Sequence, residues 1–519
     1  MILIGELSLW VALLMAVWAG TVSFAGGAQR REDLIASGER GIYAALAMTA
    51  LASLGLWTAI VTHDFSFAFV ASFTSANLPL AYALAAFWGG PAGSLLFWAL
   101  ILAGCSTTVV YINRDHRSEL MPYVTGTLAA MLALTLLALC VGMNPYERIQ
   151  WAPLDGRGMS PLLQKPGMLL HPPMLYIGLT ATAVPFAFAI ATLINRRLDG
   201  DWLSGIRRWV LVSWLFLTIG IVLGMWWAYG EAGWGESWTR DPVGNAALFP
   251  WVINTVLLHS LGGRGTRGEL RKLHVILIVL AFLLSVHAVF VADGGIISSA
   301  HTYSQSPVGG WAAGFLVFAI AACGYLAVTR LRGVPSDRAT YGYAGAEDRA
   351  PSGRLRKLAM ALVYAGMIVM LVALAGQTRA VQHDVTLNPG QSRELRDPFG
   401  RAWTFTSQGV SQYNELNRSV LAAAVEVGRS GQTVEIVTTE QRQYMDSRGS
   451  PTSDPWMESG MLGTITQDIR IALEEVGGDE RVNVRISFNP LVMWVWIGGF
   501  LLAAGGSMLL LGPAGRSGE

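Results

Sequence analysis

The chain has 519 residues, of which 53% are hydrophobic and only 14% are charged, and its formal net charge is +1 at pH 7. This composition excludes a soluble globular protein, and a charge so close to zero gives no reason to expect a nucleic-acid partner. Apolar segments long enough to cross the hydrocarbon core of a bilayer recur throughout the sequence. A polytopic membrane protein is therefore predicted.

The apolar segments predict an all-α polytopic fold with about eleven transmembrane helices. The first segment is not expected to be a cleaved signal, because it carries Glu6 and lacks a basic start. The predicted spans are residues 4–25, 41–62, 93–112, 121–142, 173–194, 208–228, 246–262, 273–291, 310–329, 358–376 and 491–511.

Lysine and arginine are distributed unevenly between the two sets of loops that these helices define. One set holds most of them, including Arg30, Arg31, Arg196, Arg197 and the basic run over residues 330–357. Because basic residues stay on the cytoplasmic side, this set is predicted to be internal. The N-terminus is then outside and the C-terminus inside.

Residues 224–245 form a tryptophan-rich segment between the sixth and seventh predicted helices. Its aromatic residues, interleaved with glycine and followed by Asp241-Pro242, are Trp226, Trp227, Tyr229, Trp234 and Trp238. This density of glycine and aromatic residues predicts an outer loop with a flat aromatic platform. The platform suits a large planar apolar ligand, with porphyrin the leading candidate, and an ordinary interfacial aromatic belt is the alternative.

Two histidines, His171 and His301, are predicted in the outer loops on either side of the tryptophan-rich segment. Together they could supply both axial ligands of a haem iron, or each could simply bond to backbone carbonyls at the interface. Arg240 could pair with a haem propionate through two parallel hydrogen bonds, with a salt bridge to Asp241 or Glu236 as the alternative.

Two further histidines, His259 and His274, are predicted near the cytoplasmic ends of adjacent helices. Ionisable groups inside a membrane are candidates for function, so the two imidazoles could ligate a second haem within the bundle. A lone imidazole bonded to a neighbouring carbonyl is the alternative.

The soluble part of the chain, residues 377–490, is predicted to be a small β-rich extracytoplasmic domain. Val425 and Val427 alternate with polar residues, as do Val434 and Ile436, around a Ser-Gly turn, which indicates a hairpin. The predicted division is a transmembrane bundle over 1–376, this domain over 377–490, and a final helix with a cytoplasmic tail over 491–519.

The chain resembles the haem-handling "WWD" membrane proteins of cytochrome c biogenesis and is identified as a shortened, divergent member of that family. The resemblance rests on Trp226-Trp227-Ala228-Tyr229 through Asp241-Pro242-Val243-Gly244-Asn245 and on Leu170-His171-Pro172-Pro173-Met174-Leu175-Tyr176. Leu257-Leu258-His259-Ser260 and the segment from Asn489-Pro490 to Gly498-Gly499 extend it in the same order. It covers most of the chain.

The resemblance implies a function in cytochrome c maturation, in which haem is held on the outer face for attachment to the CxxCH cysteines of apocytochrome c. It makes His171 and His301 ligands of an external, non-covalent b-type haem and His259 a ligand of an internal one. The implied partners are a haem-delivering chaperone, apocytochrome c with its thiol-handling factors, and the lipid of a bacterial cytoplasmic membrane. The activity would be that of a haem lyase component.

The chain departs from the family pattern at the inner site and in length. Tyr364 stands where the second internal histidine is expected, and roughly four helices between His301 and that position have no counterpart. Three arrangements stay open: no internal haem, ligation by His259 and His274, or ligation by His259 and Tyr364. Two other functions also stay open, a transporter of haem or a related hydrophobic substrate and a non-catalytic assembly scaffold.

Overall fold

The computed structural model describes residues 2–114, 119–195, 201–230, 242–261, 268–293, 308–331 and 353–512. Within these residues the chain forms a helical bundle followed by a β-sandwich and a last helix. The bundle begins with α1 (Ile2–Gln29), α2 (Glu32–Val61), α3 (Ala68–Phe73), α4 (Leu80–Ala85), α5 (Pro91–Asn113), α6 (Met121–Gly142), α7 (Pro166–Ala181) and α8 (Ala183–Asn195). It continues with α9 (Asp201–Gly230), α10 (Pro242–Ser260), α11 (Gly268–Asp293), α12 (Val308–Leu326), α13 (Gly353–Gln377) and α14 (Val492–Leu511).

The predicted all-α membrane fold is confirmed, with helical structure at each of the eleven predicted positions. Ten spans in the described part of the chain are long and apolar enough to cross a bilayer. The remaining predicted span corresponds to α10, a helix of 19 residues whose Asn245, Asn254 and His259 make it more polar than the others. The predicted span at 173–194 comprises α7 and α8, which meet at Thr182.

The first part of the tryptophan-rich segment is helical, so the prediction of a loop over 224–245 is wrong at both of its ends. Helix α9 continues through Trp226, Trp227 and Tyr229 to Gly230, and α10 begins at Pro242. No helix breaker lies between Met225 and Tyr229, and burial of Trp227 and Tyr229 against other elements favours the ordered helix. Pro242 occupies the first helical position of α10, where its missing N–H is not needed.

Helices α9 and α10 are joined by hydrogen bonds between side chains inside the bundle. The indole of Trp214 donates to Thr255 Oγ1 at 2.8 Å, and the indole of Trp251 donates to Thr218 Oγ1 at 2.8 Å. Asn254 donates to Ser213 Oγ at 2.9 Å, and Ser213 in turn donates to the carbonyl of Gly178 on α7 at 2.7 Å. Such contacts are worth about 1 kcal/mol each within a membrane, and they fix α7, α9 and α10 relative to one another.

The last two helices, α13 and α14, approach each other through glycines. A Cβ atom at Gly366 would lie 2.7 Å from the carbonyl oxygen of Gly498, and one at Gly505 would lie 2.7 Å from the carbonyl oxygen of Ala359. Small residues of this kind allow helix backbones to meet closely in a membrane, where packing replaces the hydrophobic effect as the driving force.

The predicted β-rich domain is present as a sandwich of two antiparallel sheets. The first sheet has the strand order β1-β9-β8-β7 and the second has the order β2-β3-β4-β5-β6. The strands are β1 (Val381–Leu387), β2 (Ser392–Arg396), β3 (Ala402–Glu415), β4 (Arg418–Arg429), β5 (Gln432–Tyr444), β6 (Trp456–Glu458), β7 (Gly460–Gly463), β8 (Gln467–Val476) and β9 (Val482–Pro490).

The predicted hairpin is formed by β4 and β5, in which Arg429 pairs with Gln432. The two turn residues, Ser430 and Gly431, both have positive φ angles, 54° and 76°, as the favoured two-residue hairpin turn requires. The core between the sheets consists of apolar side chains that alternate along the strands, among them Trp403, Phe405, Val425, Ile471 and Phe488.

Candidate functional site

The N-terminal half of α7 packs against the C-terminal half of α9, and His171 lies at this contact. The imidazole ring lies nearly parallel to the indole of Trp227, with ring centroids 6.2 Å apart and planes 18° apart. A Cβ atom at Gly224 would lie 2.5 Å from Cε1 of His171, so only glycine fits beneath the imidazole. The sequence therefore specifies a glycine on α9 where the histidine of α7 packs against it.

His171 lies on a helix and not in a loop as the sequence predicts. Pro166 begins α7 five residues earlier, and the helix continues through Pro172 and Pro173. Proline at 172 cannot donate to the carbonyl of Met168, which would be its ordinary helical partner. The indole of Trp88 donates to that carbonyl instead, at 2.9 Å, so the helix keeps its polar groups satisfied around the histidine.

The orientation of the His171 ring is set by a hydrogen bond from Nδ1 to the carbonyl oxygen of Gly220, 2.7 Å away. Because a carbonyl can only accept, the proton of the neutral ring lies on Nδ1. Nε2 then carries the lone pair, which is the arrangement of a histidine that ligates a metal through Nε2.

The two tryptophans at the end of α9 occupy different environments. Trp227 is 6% exposed and donates from Nε1 to the carbonyl of Leu162 at 3.3 Å, whereas Trp226 is 46% exposed. A Cβ atom at Gly167 would lie 2.7 Å from Cβ of Trp227, so α7 also packs closely against this indole. Trp227 therefore supports His171 from within, while Trp226 offers an accessible aromatic surface.

The remaining residues of the predicted outer site lie outside the described part of the chain. They are Trp234, Trp238, Arg240, Asp241 and His301. The pairing of His171 with His301, and the roles of Arg240 and Asp241, stay predictions.

The β-sandwich contacts the segments that lead into α7, and the sequence alone did not indicate these contacts. Lys165, immediately before α7, forms an ion pair with Glu458 of β6. Arg442 of β5 also bonds to Glu458, with Nη1 3.1 Å from Oε2. Beside this pair, Asn417 donates to Oε1 of Gln164 at 2.8 Å, and both amide side chains are buried. A lone lysine in an otherwise apolar, proline-containing stretch was the only signal for this contact.

A second set of contacts joins the sandwich to the end of α9. Asn489 of β9 donates to the hydroxyl oxygen of Tyr229 at 3.1 Å, and both residues are buried. Asp468 of β8 lies in the same cluster, where burial raises the pKa of its carboxyl to about 6 and the hydrogen bond with Tyr229 lowers it in part. Tyr229 also packs against Trp496 of α14, with ring centroids 6.1 Å apart.

The loop between α6 and α7 makes a third contact with the sandwich through Asp155. Its carboxylate accepts from the backbone N–H groups of Ala76 at 2.8 Å and Ser447 at 3.0 Å. Burial acts to raise the pKa of Asp155, but the hydrogen bonds from Ser447, Ala76 and Gly156 outweigh it and hold the pKa below its usual value. The carboxylate therefore stays ionised while it joins the loop to the domain.

At the opposite end of the bundle, His259 of α10 contacts Tyr364 of α13. Its Nε2 lies 3.0 Å from the Tyr364 hydroxyl, and its Nδ1 lies 2.8 Å from the carbonyl oxygen of Thr255. His274 of α11 is 2% exposed, and its Nε2 lies 3.0 Å from Oγ of Ser260. The structure thus brings His259 and Tyr364 into direct contact and gives His274 a separate partner.

Two family models match the chain. One is described as Cytochrome C assembly protein and matches residues 88–296, and the other is described as CcmF C-terminal beta-sandwich and matches residues 378–490. The chain belongs to the CcmF family of cytochrome c-type biogenesis proteins. The first match contains α7 and α9, and the second covers the sandwich that contacts them.

Relatives within the CcmF family match the chain over different lengths. The CcmF protein of Pseudomonas aeruginosa is 38% identical over 305 residues, which are 59% of this chain and 46% of that relative. The CcmF proteins of Pseudomonas fluorescens and Escherichia coli are each 27% identical, over 98% of this chain and 95% and 96% of their own lengths. The solved structure of a protein described as Cytochrome c Heme Lyase CcmF matches with a TM-score of 0.79 and 22% identity, covering 98% of this chain and 97% of its own.

The alignment with the Pseudomonas fluorescens protein extends over 639 positions, whereas this chain has 519 residues. At least 120 positions of that alignment therefore have no counterpart here. This agrees with the expectation, drawn from the sequence, that the chain is a shortened member of the CcmF family.

Proposed function

We propose that the chain is a haem-binding membrane protein of cytochrome c maturation that positions haem on its outer face for attachment to apocytochrome c. Family membership supports the pathway, because the relatives are named for cytochrome c biogenesis and one solved relative is named a haem lyase. The observation that carries the proposal is the geometry of His171, which is held against Trp227 with its proton directed to Gly220.

The described residues of the outer site fit a haem. His171 has the tautomer of an iron ligand, and its ring is held by the hydrogen bond to Gly220 and by packing against Gly224 and Trp227 of α9. Trp226, which precedes Trp227 in α9, supplies an exposed aromatic surface suited to a planar apolar macrocycle. His301 is proposed as the second axial ligand and Arg240 as a partner of a propionate, on the sequence argument given above.

In this proposal the chain binds and orients, and it supplies no sulfur. A haem held there would provide the iron that His171 ligates and the vinyl groups to which apocytochrome thiols add. Cys105, Cys140 and Cys323 lie within transmembrane helices, and all three are buried or partly buried. The thioether sulfurs then come from the apocytochrome, and the contribution of this chain is proximity and orientation.

The proposed setting is a bacterial cytoplasmic membrane, with the N-terminus outside and the C-terminus inside. The distribution of Lys and Arg supports this orientation, and it puts His171 and the β-sandwich on the outer face. Partners on that face would be a haem-delivering chaperone and apocytochrome c with its thiol-handling factors.

The contact between His259 and Tyr364 does not fit a second haem held by these two residues. Two axial ligands of one iron stand about 4 Å apart, since each bond to iron is about 2 Å long. The His259 nitrogen and the Tyr364 oxygen are only 3.0 Å apart, and they bond to each other. We therefore propose that these two residues do not hold an internal haem.

Absorption spectra of the purified protein, oxidised and reduced, test the proposed function. We expect a bound, non-covalent haem whose amount falls when His171 is replaced by alanine. Protein purified from haem-replete cells without haem, and unable to take up added haem, would contradict the proposal and favour a non-catalytic assembly scaffold.

A second function, movement of a hydrophobic substrate, is favoured by one observation. An apolar cavity of about 640 Å³ lies among α5, α6, α8, α11 and α12, and its lining includes Trp98, Phe282, Trp311 and Phe315. Cavities of this size and character hold small apolar ligands. Haem flux in liposomes that contain this chain, without any apocytochrome, would support transport over attachment.

A further inference from the structure

We propose that the β-sandwich is the positioning element of the outer site, because it holds both helices that form the contact between His171 and Trp227. The inference rests on the proposed function and assigns a role within it to the sandwich. Two contacts carry this inference. At the end of α9, Tyr229 meets Asn489 of the sandwich, and just before α7, Gln164 and Lys165 meet Asn417 and Glu458 of the sandwich.

The first contact holds α9. Tyr229 comes two residues after Trp227, and its hydroxyl accepts from Asn489 at 3.1 Å in a buried environment. A hydrogen bond at this point fixes the last turn of the helix, which would otherwise fray because its final carbonyls lack intrahelical partners. The position of Trp226 and Trp227 therefore depends on a strand of the sandwich.

The second contact holds α7. Lys165 immediately precedes Pro166 and lies six residues before His171, and it pairs with Glu458. Gln164 is bonded on both sides, donating from Nε2 to the carbonyl of Met159 at 2.8 Å and accepting from Asn417 at 2.8 Å. Gln164, Lys165 and Asn417 are nearly buried and Glu458 is partly buried, so the start of α7 is fixed to β6 and to the turn between β3 and β4.

The contact at the end of α9 and the contact at the start of α7 both help to position the rings of His171 and Trp227. Moving the sandwich away would release the start of α7 and the end of α9, and these are the segments that bring His171 and Trp227 together. A ligand histidine must be held to within a fraction of an ångström by its supporting residues. Tyr229 and Asn489 are therefore positioning residues, and they need not touch haem themselves.

The test replaces Asn489 with alanine and uses Asn483→Ala as the matched control. Asn483 lies on the same strand, β9. Its side-chain amide makes exposed hydrogen bonds with Thr386 and Glu475 of the sandwich and none with the bundle among the described residues. Tyr229→Phe removes the other partner of the bond while keeping the ring that packs on Trp496. Two measurements, amide hydrogen exchange and the rate of haem loss, are made on the full chain in detergent or nanodiscs.

The first measurement is amide hydrogen exchange over residues 222–230 and 166–175. We expect Asn489→Ala and Tyr229→Phe to speed exchange over 222–230 by about fivefold or more, as loss of one buried hydrogen bond predicts, with no such change in Asn483→Ala. Exchange in Asn489→Ala that matches the parent protein would overturn the inference, whether or not haem is bound.

The second measurement is the rate of haem transfer to an excess of apomyoglobin, together with the spectrum of the haem that remains. We expect haem loss about five- to tenfold faster in Asn489→Ala and Tyr229→Phe, with a shifted spectrum because the histidine is displaced. Faster exchange with unchanged haem loss would overturn the positioning role. A parent protein that binds no haem would defeat the proposed function, and the exchange measurement alone would then decide whether the sandwich holds α9.

Discussion

Nε2 of His259 lies 3.0 Å from the hydroxyl oxygen of Tyr364, so α10 and α13 are joined by a direct hydrogen bond at the place where the resemblance drawn from the sequence implies an internal haem. Nδ1 of the same ring lies 2.8 Å from the Thr255 carbonyl, so both ring nitrogens have partners. The tyrosine completes a pair of hydrogen-bonded side chains within the bundle. Tyr364, which stands where the resemblance implies a histidine, is thus the hydrogen-bond partner of His259.

We expect no internal haem, and the stoichiometry of protein lacking His171 and His301 measures this directly. Replacing both with alanine should leave no bound haem, because His259 and Tyr364 are too close together to stand on opposite sides of an iron. One residual haem with a low-spin bis-histidine spectrum, lost on further replacement of His274 by alanine, would instead establish ligation by His259 and His274.

Replacing His171 alone with alanine should lower haem affinity at least about tenfold, since an axial ligand and a ring stacked on Trp227 are lost together. The apparent melting temperature should change little, because one hydrogen bond to Gly220 contributes only about 1 kcal/mol. Haem titration and thermal melting of the same preparation check both parts. His383→Ala, in β1 of the sandwich, is the control, and an equal loss of haem there would argue against a specific site.

Replacing Asp468 with asparagine should make the protein more stable at neutral pH. Burial raises the carboxyl pKa from its ordinary 3.8 to about 6, so the folded protein binds this proton more tightly than the unfolded chain does. The favourable contribution is complete below pH 4 and is lost as the pH rises through 6. Asparagine does not ionise, and the gain should approach about 2–3 kcal/mol above pH 7.

Melting curves of the parent and of Asp468→Asn at pH 5 and pH 8 check this prediction. The difference between the two proteins should be larger at pH 8 than at pH 5. A difference that stays constant across this range would mean that the carboxyl titrates outside it.

Replacing Lys165 with methionine should destabilise the contact between bundle and sandwich by about 1–3 kcal/mol, because the partly buried Glu458 keeps Arg442 but loses its second cation. The double variant Lys165→Met with Glu458→Gln should recover part of that loss. Arg485→Met serves as the matched control, since its ion pair with Asp384 is exposed and worth at most about 1 kcal/mol. Equal losses in the two single variants, measured by thermal or denaturant unfolding, would show that the Lys165 contact is no stronger than a surface pair.

Hydropathy and local pattern were sufficient to predict the helical spans and the hairpin of β4 and β5. The same patterns failed at Trp226 to Tyr229, where dense aromatic and glycine residues suggested a loop. The helix persists there because Trp227 and Tyr229 are buried by α7 and the sandwich, and such tertiary burial is not written in the local sequence.

The contacts that the sequence could not predict join residues far apart in the chain. Tyr229 and Asn489 are separated by 260 positions, and neither lies in a pattern that marks it as a partner of the other. Lys165 and Glu458 are ordinary surface residue types, and only the folded chain shows that they meet in a partly buried environment. Such pairs can be identified only once the structure shows how the bundle and the sandwich contact each other.

The place of the β-sandwich in the chain has a consequence for biosynthesis. Its first strand pairs with its last, so Val381 lies opposite Phe488, and the chain enters from α13 and leaves into α14 at the same edge. The ribosome makes α14 only after the whole sandwich, yet α14 packs on α9 and supplies Trp496 to Tyr229. The contacts between α14 and the end of α9 consequently cannot form until the sandwich has been synthesised, so the outer site cannot be complete before the last helix of the chain is made.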